Sequence, residues 1–162
     1  MDTRKIKTVA FVLTFVIIAA VAVSRGQSSK NATSVDAQKA VLARLAEIQS
    51  AAESLDPDKV FSFVLENDAG ALAQNGKLFL TRKEALESTK QGFQRLQSVS
   101  YLLDEQHVTV LSPTVALVTG EGSSSATLDD GRVFTTRFAQ SVVLVLTNGE
   151  WKVLHSHRSI PQ

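Results

Sequence analysis

Apolar positions recur every three or four residues along the first part of the chain, which is the period of a helix with one buried face. The longest such stripe predicts a helix over 36–55 and is formed by Val41, Leu45, Ile48, Ala52 and Leu55. A short second helix is predicted over 57–65, because Asp56 can cap it and Pro57 suits the first helical turn. Both helices are expected to lie with their apolar faces against a sheet.

A small hairpin and a third helix are predicted next. Asn75 and Gly76 stand between two short extended segments, and this dipeptide favours the positive backbone angles of a tight turn. The strands are short, so we expect them at the edge of the sheet. Thr81 and Glu84 then have the spacing of a capping box, which predicts a helix over 82–97.

From residue 98 onwards, apolar and polar positions alternate, which indicates strands. Turn-forming residues divide this region into predicted strands over 99–111, 114–127, 132–147 and 150–159. Long strands joined by tight turns form an antiparallel meander. Helices that precede strands indicate an α+β fold, in which three helices cover one face of a cone-shaped, curved antiparallel sheet. A cone that is open at one end is a natural small-molecule pocket.

The first 24 residues differ from the rest. Arg4, Lys5 and Lys7 precede an apolar run from Val9 to Val23. This pattern is typical of a secretory signal peptide, and the run is also close to the about 20 residues that a membrane-spanning anchor needs. Positive flanks stay in the cytoplasm, so both interpretations place the domain outside it. The domain is then secreted or periplasmic after cleavage, or otherwise held to the membrane through this segment alone.

Three parts are therefore predicted: a signal peptide or anchor over 1–24, a polar disordered linker over 25–35 and a domain over 36–162.

The chain has 17 basic and 16 acidic residues, and without the first 24 residues these numbers fall to 14 and 15. A nearly neutral domain argues against binding to nucleic acid. The chain contains no cysteine, which excludes disulfides, thiolate metal ligands and a cysteine nucleophile from this sequence.

The end of the chain resembles a known superfamily. The segment from Asn148 to Pro161, with Trp151 and a His-x-His-x-Ser-x-Pro-like tail, is similar to the last strand of nuclear transport factor 2-like proteins. The resemblance is strongest to the SnoaL-like, polyketide-cyclase branch, and the same ending looks like the association domain of calcium/calmodulin-dependent kinases. It covers about residues 36–161 and implies a cystatin-like roll. Its members include isomerases, dehydratases, hydrolases and binding proteins, so it implies no single reaction.

The candidate catalytic residues are His155, His157 and Asp68. The histidines are two apart on the last strand and are expected to share a face with Trp151 and Val153, where either would suit proton transfer near neutral pH. A structural histidine, bonded to the backbone or at a dimer interface, is the alternative. Asp68 follows the second helix, where the resemblance implies an acidic base at the cone mouth. An aspartate in a helix-ending turn is the alternative.

Three further residues are candidates for ligand contact. Tyr101 is the only tyrosine, and the resemblance to steroid isomerases implies an oxyanion donor, although those relatives carry it in the first helix. Facing the cone, Glu121 and Arg137 would pair, or Arg137 would bind a ligand carboxylate; facing outwards, they are surface charges. The predicted ligand-binding residues are Tyr101, Glu121, Arg137, Trp151, His155 and His157.

A metal site is a sharper alternative for the histidines. His155 and His157 would supply two ligands, His107 a third and Glu121 a fourth. Nothing in their spacing forces these residues together, so no metal and no cofactor is predicted.

Three functions follow from these observations. The first is the binding of a small, mostly apolar molecule in the cone, without established catalysis, with walls formed by Phe61, Phe63, Phe79, Phe93, Phe134, Phe138 and Trp151. The second is an acid–base enzyme of the same fold, such as an isomerase, dehydratase or hydrolase. The third is a homodimeric assembly module, because Val142 to Leu146 are apolar on both faces and the outer face needs a cover.

Overall fold

The computed structural model describes residues 34–161. The predicted signal peptide or anchor, and most of the predicted linker, lie outside the described residues. The division of the chain into three parts therefore stays a prediction. None of the helices within the described range has both the length and the apolar character that crossing a membrane requires.

Three helices form, as the apolar stripe and the two capping signals predict. Residues 34–53 are helical and are called α1, α2 spans Pro57–Ser62, and α3 spans Arg82–Phe93. The Asp56 carboxylate accepts a hydrogen bond from the Lys59 backbone N–H at 2.8 Å and so caps α2. The capping box of α3 is present.

The predicted end of α3 at residue 97 is wrong, because the helix ends at Phe93. Leu96 already belongs to a strand and pairs with Leu128, while the Arg95 carbonyl accepts the backbone N–H of Asp129. Pairing with a distant strand therefore overrides the helical spacing of Phe93 and Leu96.

Six strands form one curved, unclosed sheet in the order β2-β1-β6-β5-β4-β3. Their bounds are Leu72–Gln74 for β1, Lys77–Phe79 for β2, Leu96–Ser112 for β3, Val115–Leu128 for β4, Val133–Thr147 for β5 and Glu150–Ser159 for β6. Neighbouring strands are antiparallel except β1 and β6, which are parallel. The hairpin lies at the sheet edge, as predicted, and the α+β fold is confirmed.

The hydrophobic core joins α1 to one face of the sheet, which is called the inner face. Val41 of α1 packs with Val118, Leu144 and Trp151 in one buried cluster. Phe61 of α2, Phe79 of β2 and Ala85 of α3 form a second cluster. Val142 and Val153 of the first cluster, and Phe61 and Phe79 of the second, also border the space beneath the helices.

A β-bulge at Leu154 changes which side chains of β6 face inwards. Val143 pairs with His155, but its neighbour Leu144 pairs with Val153, so Leu154 is an extra residue. The Leu154 carbonyl accepts a hydrogen bond from Asn67 Nδ2 at 3.2 Å. A bulge reverses the alternation that follows it. The prediction that the two histidines share the face of Trp151 and Val153 is therefore wrong.

A second bulge, at Asp104 of β3, lies opposite glycines of β4. The register shifts between Leu103 and Glu105 beside Gly120 and Gly122. A Cβ atom on Gly120 would lie 2.6 Å from the Glu105 carbonyl oxygen, and one on Gly122 would overlap the Leu102 carbonyl. The two glycines therefore permit a close approach of the backbones where the sheet departs from regular pairing.

Candidate ligand-binding cavity

A cavity of about 920 Å³ lies between the helices and the inner face of the sheet. Most of its wall is apolar, and it includes four of the seven aromatic residues predicted for this role, Phe61, Phe79, Phe93 and Phe138. The other three lie elsewhere. Trp151 belongs to the packed core, Phe63 lies beneath the cations of Arg44 and Lys59, and Phe134 is half exposed.

The polar side of the cavity is built around Arg158. Beyond the bulge, Ser156 and Arg158 continue the inner face, and both line the cavity. The Arg158 guanidinium carbon lies 4.4 Å from the ring centre of Phe138 and 5.3 Å from that of Tyr101. Its Nη2 donates to Gln140 Oε1 at 3.1 Å. Cation–π contact on two rings and one hydrogen bond hold the cation in place.

Tyr101 is the member of the predicted ligand-binding set that lines the cavity. Its ring meets Phe138 edge to face, with ring centres 6.4 Å apart. Its backbone is tied to α1, because Gln49 Nε2 donates to its carbonyl at 3.2 Å and its N–H donates to Glu53 Oε1 at 3.0 Å. These bonds fix the start of β3 against the end of α1.

Glu121 and Arg137 lie on the opposite, outer face of the sheet. Arg137 Nη1 lies 2.5 Å from Asp104 Oδ2, and Nη2 lies 3.2 Å from Glu121 Oε1. All three side chains are at least a third exposed. The pairing predicted for Glu121 and Arg137 is present, but it belongs to a surface ion pair and not to the cavity.

The candidate catalytic residues do not line the cavity either. His155 is half buried, and its Nδ1 lies 2.7 Å from the Gly70 carbonyl oxygen, which is the backbone-bonded arrangement given above as the alternative. His157 is exposed on the outer face, where its partner in β5 is Ser141. Asp68 is exposed in the bend after α2. The structure therefore does not place these three residues where they would reach a molecule in the cavity.

A shallower groove of about 470 Å³ runs across the outer face and contains Glu105, His107, Glu121 and His157. His107 Nε2 lies 2.8 Å from Glu105 Oε1. Over residues 34–161, no three side chains of the metal-binding types converge in a way that could hold an ion. The alternative of a metal site in which the three histidines join Glu121 thus finds no support in this geometry.

The cavity also has a distinct charge. Its ionisable lining residues, among those described, are Lys77, Tyr101 and Arg158, and no aspartate, glutamate or histidine of residues 34–161 lines it. Lys77 is exposed, with its Nζ 4.6 Å from the ring centre of Phe79. The arrangement suits apolar contact with a few fixed polar groups, and it offers no carboxylate or imidazole for proton transfer.

A family model described as a SnoaL-like domain matches residues 41–162. The chain belongs to the SnoaL-like domain family. A comparison with curated protein sequences gives no match.

Solved structures share the fold of this SnoaL-like domain. A candidate scytalone dehydratase from Novosphingobium aromaticivorans superposes with a TM-score of 0.74 at 12% identity, over 82% of this chain and 89% of that chain. A nuclear transport factor 2-like protein from Salmonella enterica has a TM-score of 0.73 at 14% identity, over 80% and 94%. A type 2 hexachlorocyclohexane dehydrochlorinase has a TM-score of 0.69 at 9% identity, over 82% of this chain and 90% of that chain. Identities this low show the fold alone.

Arg158 of the SnoaL-like domain was not predicted from the sequence, because strict alternation places it on the sheet face away from Trp151. Gln140, its hydrogen-bond partner, was not predicted either. One signal was available. Polar and apolar residues alternate from Glu150 to Val153, and Leu154 then breaks the alternation, which is typical of a shift of phase.

Proposed function

We propose that this SnoaL-like domain binds a small, mostly apolar molecule in its cavity. The observation that carries the proposal is the composition of the wall, which is largely aromatic and aliphatic with a few polar groups around Arg158. The volume of about 920 Å³ falls in the range of about 300–1,000 Å³ typical of small-molecule sites.

An acid–base enzyme of the same fold is the alternative. Such an enzyme needs titratable groups within hydrogen-bond reach of the substrate. Aspartate, glutamate and histidine of the described range do not line this cavity, which favours binding over catalysis. Two of the similar structures bear enzyme names, but at 12% and 9% identity this does not carry a reaction to the chain.

The proposal is tested by filling the cavity. Ala52 lines it from α1, and Ala52→Phe should abolish the stabilisation by ligands found in a thermal-shift screen of the wild type. A ligand at 100 times its Kd adds about 2.7 kcal/mol to the free energy of unfolding. Ala69→Phe is the matched control, because Ala69 is exposed and does not line the cavity. Ligands that stabilise Ala52→Phe as well as the wild type would contradict the proposal.

We propose, second, that the outer face of the sheet forms a homodimer. Leu102 and Val133, on the outer face of β3 and β5, are 65% and 63% exposed, and exposed large apolar side chains on one sheet face favour an interface. The double variant Leu102→Lys, Val133→Lys should be monomeric by light scattering. Leu78→Lys is the control, because Leu78 is 54% exposed on the edge strand β2. A wild-type monomer would refute the dimer.

We propose, third, that the domain lies outside the cytoplasm, secreted or periplasmic after cleavage, or held to the membrane through its N-terminal segment. The basic residues and the apolar run of the first 24 residues support this. A reporter enzyme that is active only outside the cytoplasm, fused after Gln162, should be active. The mass of the mature protein shows whether the segment is cleaved. An inactive reporter would contradict this location.

A further inference from the structure

We infer that the molecule bound in the cavity carries an anionic group, a carboxylate or a comparable oxyanion, on an apolar body, and that Arg158 binds this group. The inference rests on the binding function proposed above and adds the chemical class of the ligand. Binding of a ligand carboxylate was predicted for Arg137, but the side chain of Arg137 lies on the outer face of the sheet.

Arg158 combines two properties that no other arginine of the described residues combines: it is half buried, and no carboxylate lies beside it. Four arginines have a carboxylate oxygen within 4.0 Å, namely Arg44, Arg82, Arg132 and Arg137. Within residues 34–161, Arg95 and Arg158 have none, but Arg95 is exposed to water. Arg158 is half buried and lines the cavity. A cation that is partly removed from water without a counter-charge is unfavourable, and an anionic ligand would relieve that cost.

The guanidinium of Arg158 also has donors to spare. It carries five N–H groups, and among the described residues one side-chain hydrogen bond uses them, the 3.1 Å bond to Gln140 Oε1. Stacking on Phe138 and Tyr101 fixes its position before a ligand arrives. A planar guanidinium group held in this way can donate to both oxygens of a carboxylate and loses little conformational entropy on binding.

The remaining wall matches the two ends of such a molecule. Lys77 adds a second positive charge and the described residues add no acidic group, so the cavity favours anions over neutral or cationic molecules. Away from Arg158 the wall is apolar, with Leu45 and Ile48 of α1 facing Phe61 and Phe79. An acid with an apolar body would place its carboxylate on Arg158 and its body against these side chains.

A pair of probes with the same shape separates the charge from the apolar body. The probes are 2-naphthoate and its neutral carboxamide, 2-naphthamide, and their dissociation constants are measured by ligand-detected NMR with the full-length protein. If the protein retains its N-terminal segment, it is held in nanodiscs and protein-free nanodiscs serve as the blank. We expect naphthoate to bind at least about tenfold more tightly than naphthamide, because hydrogen bonds to charged groups are the strong ones.

Arg158→Met should remove this preference by weakening naphthoate and leaving naphthamide within about twofold of the wild type. Retained naphthamide binding also shows that the variant is folded with its cavity intact. Arg137→Met is the matched control and should keep the preference, because Arg137 lies outside the cavity. Equal binding of both probes to the wild type, or a preference that survives Arg158→Met, would overturn the inference while leaving the binding function in place. Binding of neither probe would overturn the binding function as well.

Discussion

The close approach of β3 to β4 predicts that Gly120→Ala destabilises the domain. The new Cβ atom would lie 2.6 Å from the Glu105 carbonyl oxygen, whereas ordinary contacts begin at 3.4 Å, so the two backbones must separate by roughly 0.8 Å. The atom it meets is backbone and cannot rotate away. Overpacking of this kind costs about 1–3 kcal/mol. Gly120 does not have the left-handed backbone angle that would add strain of its own.

Gly92→Ala is the matched control with the opposite expected sign. Gly92 is the next-to-last residue of α3, and a Cβ atom there meets no atom within 4 Å. Alanine should stabilise the domain by up to about 1 kcal/mol, because glycine is the poorer helix former and has more freedom when unfolded. Both variants constrain the unfolded chain in the same way, so this contribution cancels in their difference, which isolates the contact at Gly120 and should be about 1–3 kcal/mol.

Urea unfolding of both variants measures this difference. The chain has one tryptophan, Trp151, which is buried in the core and reports on global unfolding by its fluorescence. The slope of the free energy of unfolding against urea concentration should be the same for both variants. The unfolding midpoint should fall for Gly120→Ala and rise for Gly92→Ala. A Gly120→Ala protein as stable as Gly92→Ala would refute the close approach of the two strands at this point.

Three further predictions concern the core, the bulge and the helices. Leu144→Ala should lower the free energy of unfolding by about 2–5 kcal/mol in the same urea assay, because Leu144 is fully buried. Asn67→Ala should cost about 1–3 kcal/mol and weaken naphthoate binding, because it leaves the Leu154 carbonyl at the bulge unpaired. Asp58 raises the pKa of Lys90 above its usual 10.5, so the contribution of this pair is complete below 10.5 and is lost as pH rises through the raised pKa. Lys90→Gln should therefore reduce the fall of Tm at alkaline pH, and an unchanged fall would contradict this role.

The candidate site was only partly predictable. The aromatic walls at Phe61, Phe79, Phe93 and Phe138, together with Tyr101, were identified from their residue types, since large apolar side chains fill or line the interior of a small domain. Arg158 was not, because strict alternation from Trp151 places it on the opposite face, whereas the extra residue Leu154 returns it to the face of Trp151. One extra residue exchanges the two faces of a strand, and residue type does not reveal which face results.

Features that arise from neighbours a few residues apart follow from the sequence alone. Thr81 and Glu84 satisfy each other's backbone groups within one turn of α3, and Asn148 and Gly149 adopt the positive backbone angles of the last turn. The position where α3 ends, and the set of β6 side chains that meet the cavity, depend instead on contacts between distant parts of the chain. The first depends on the pairing of Leu96 with Leu128, and the second on a bulge that a hydrogen bond from Asn67, 87 residues away, holds in place. Such contacts are set by the folded arrangement of the whole domain, and the local sequence indicates them only weakly.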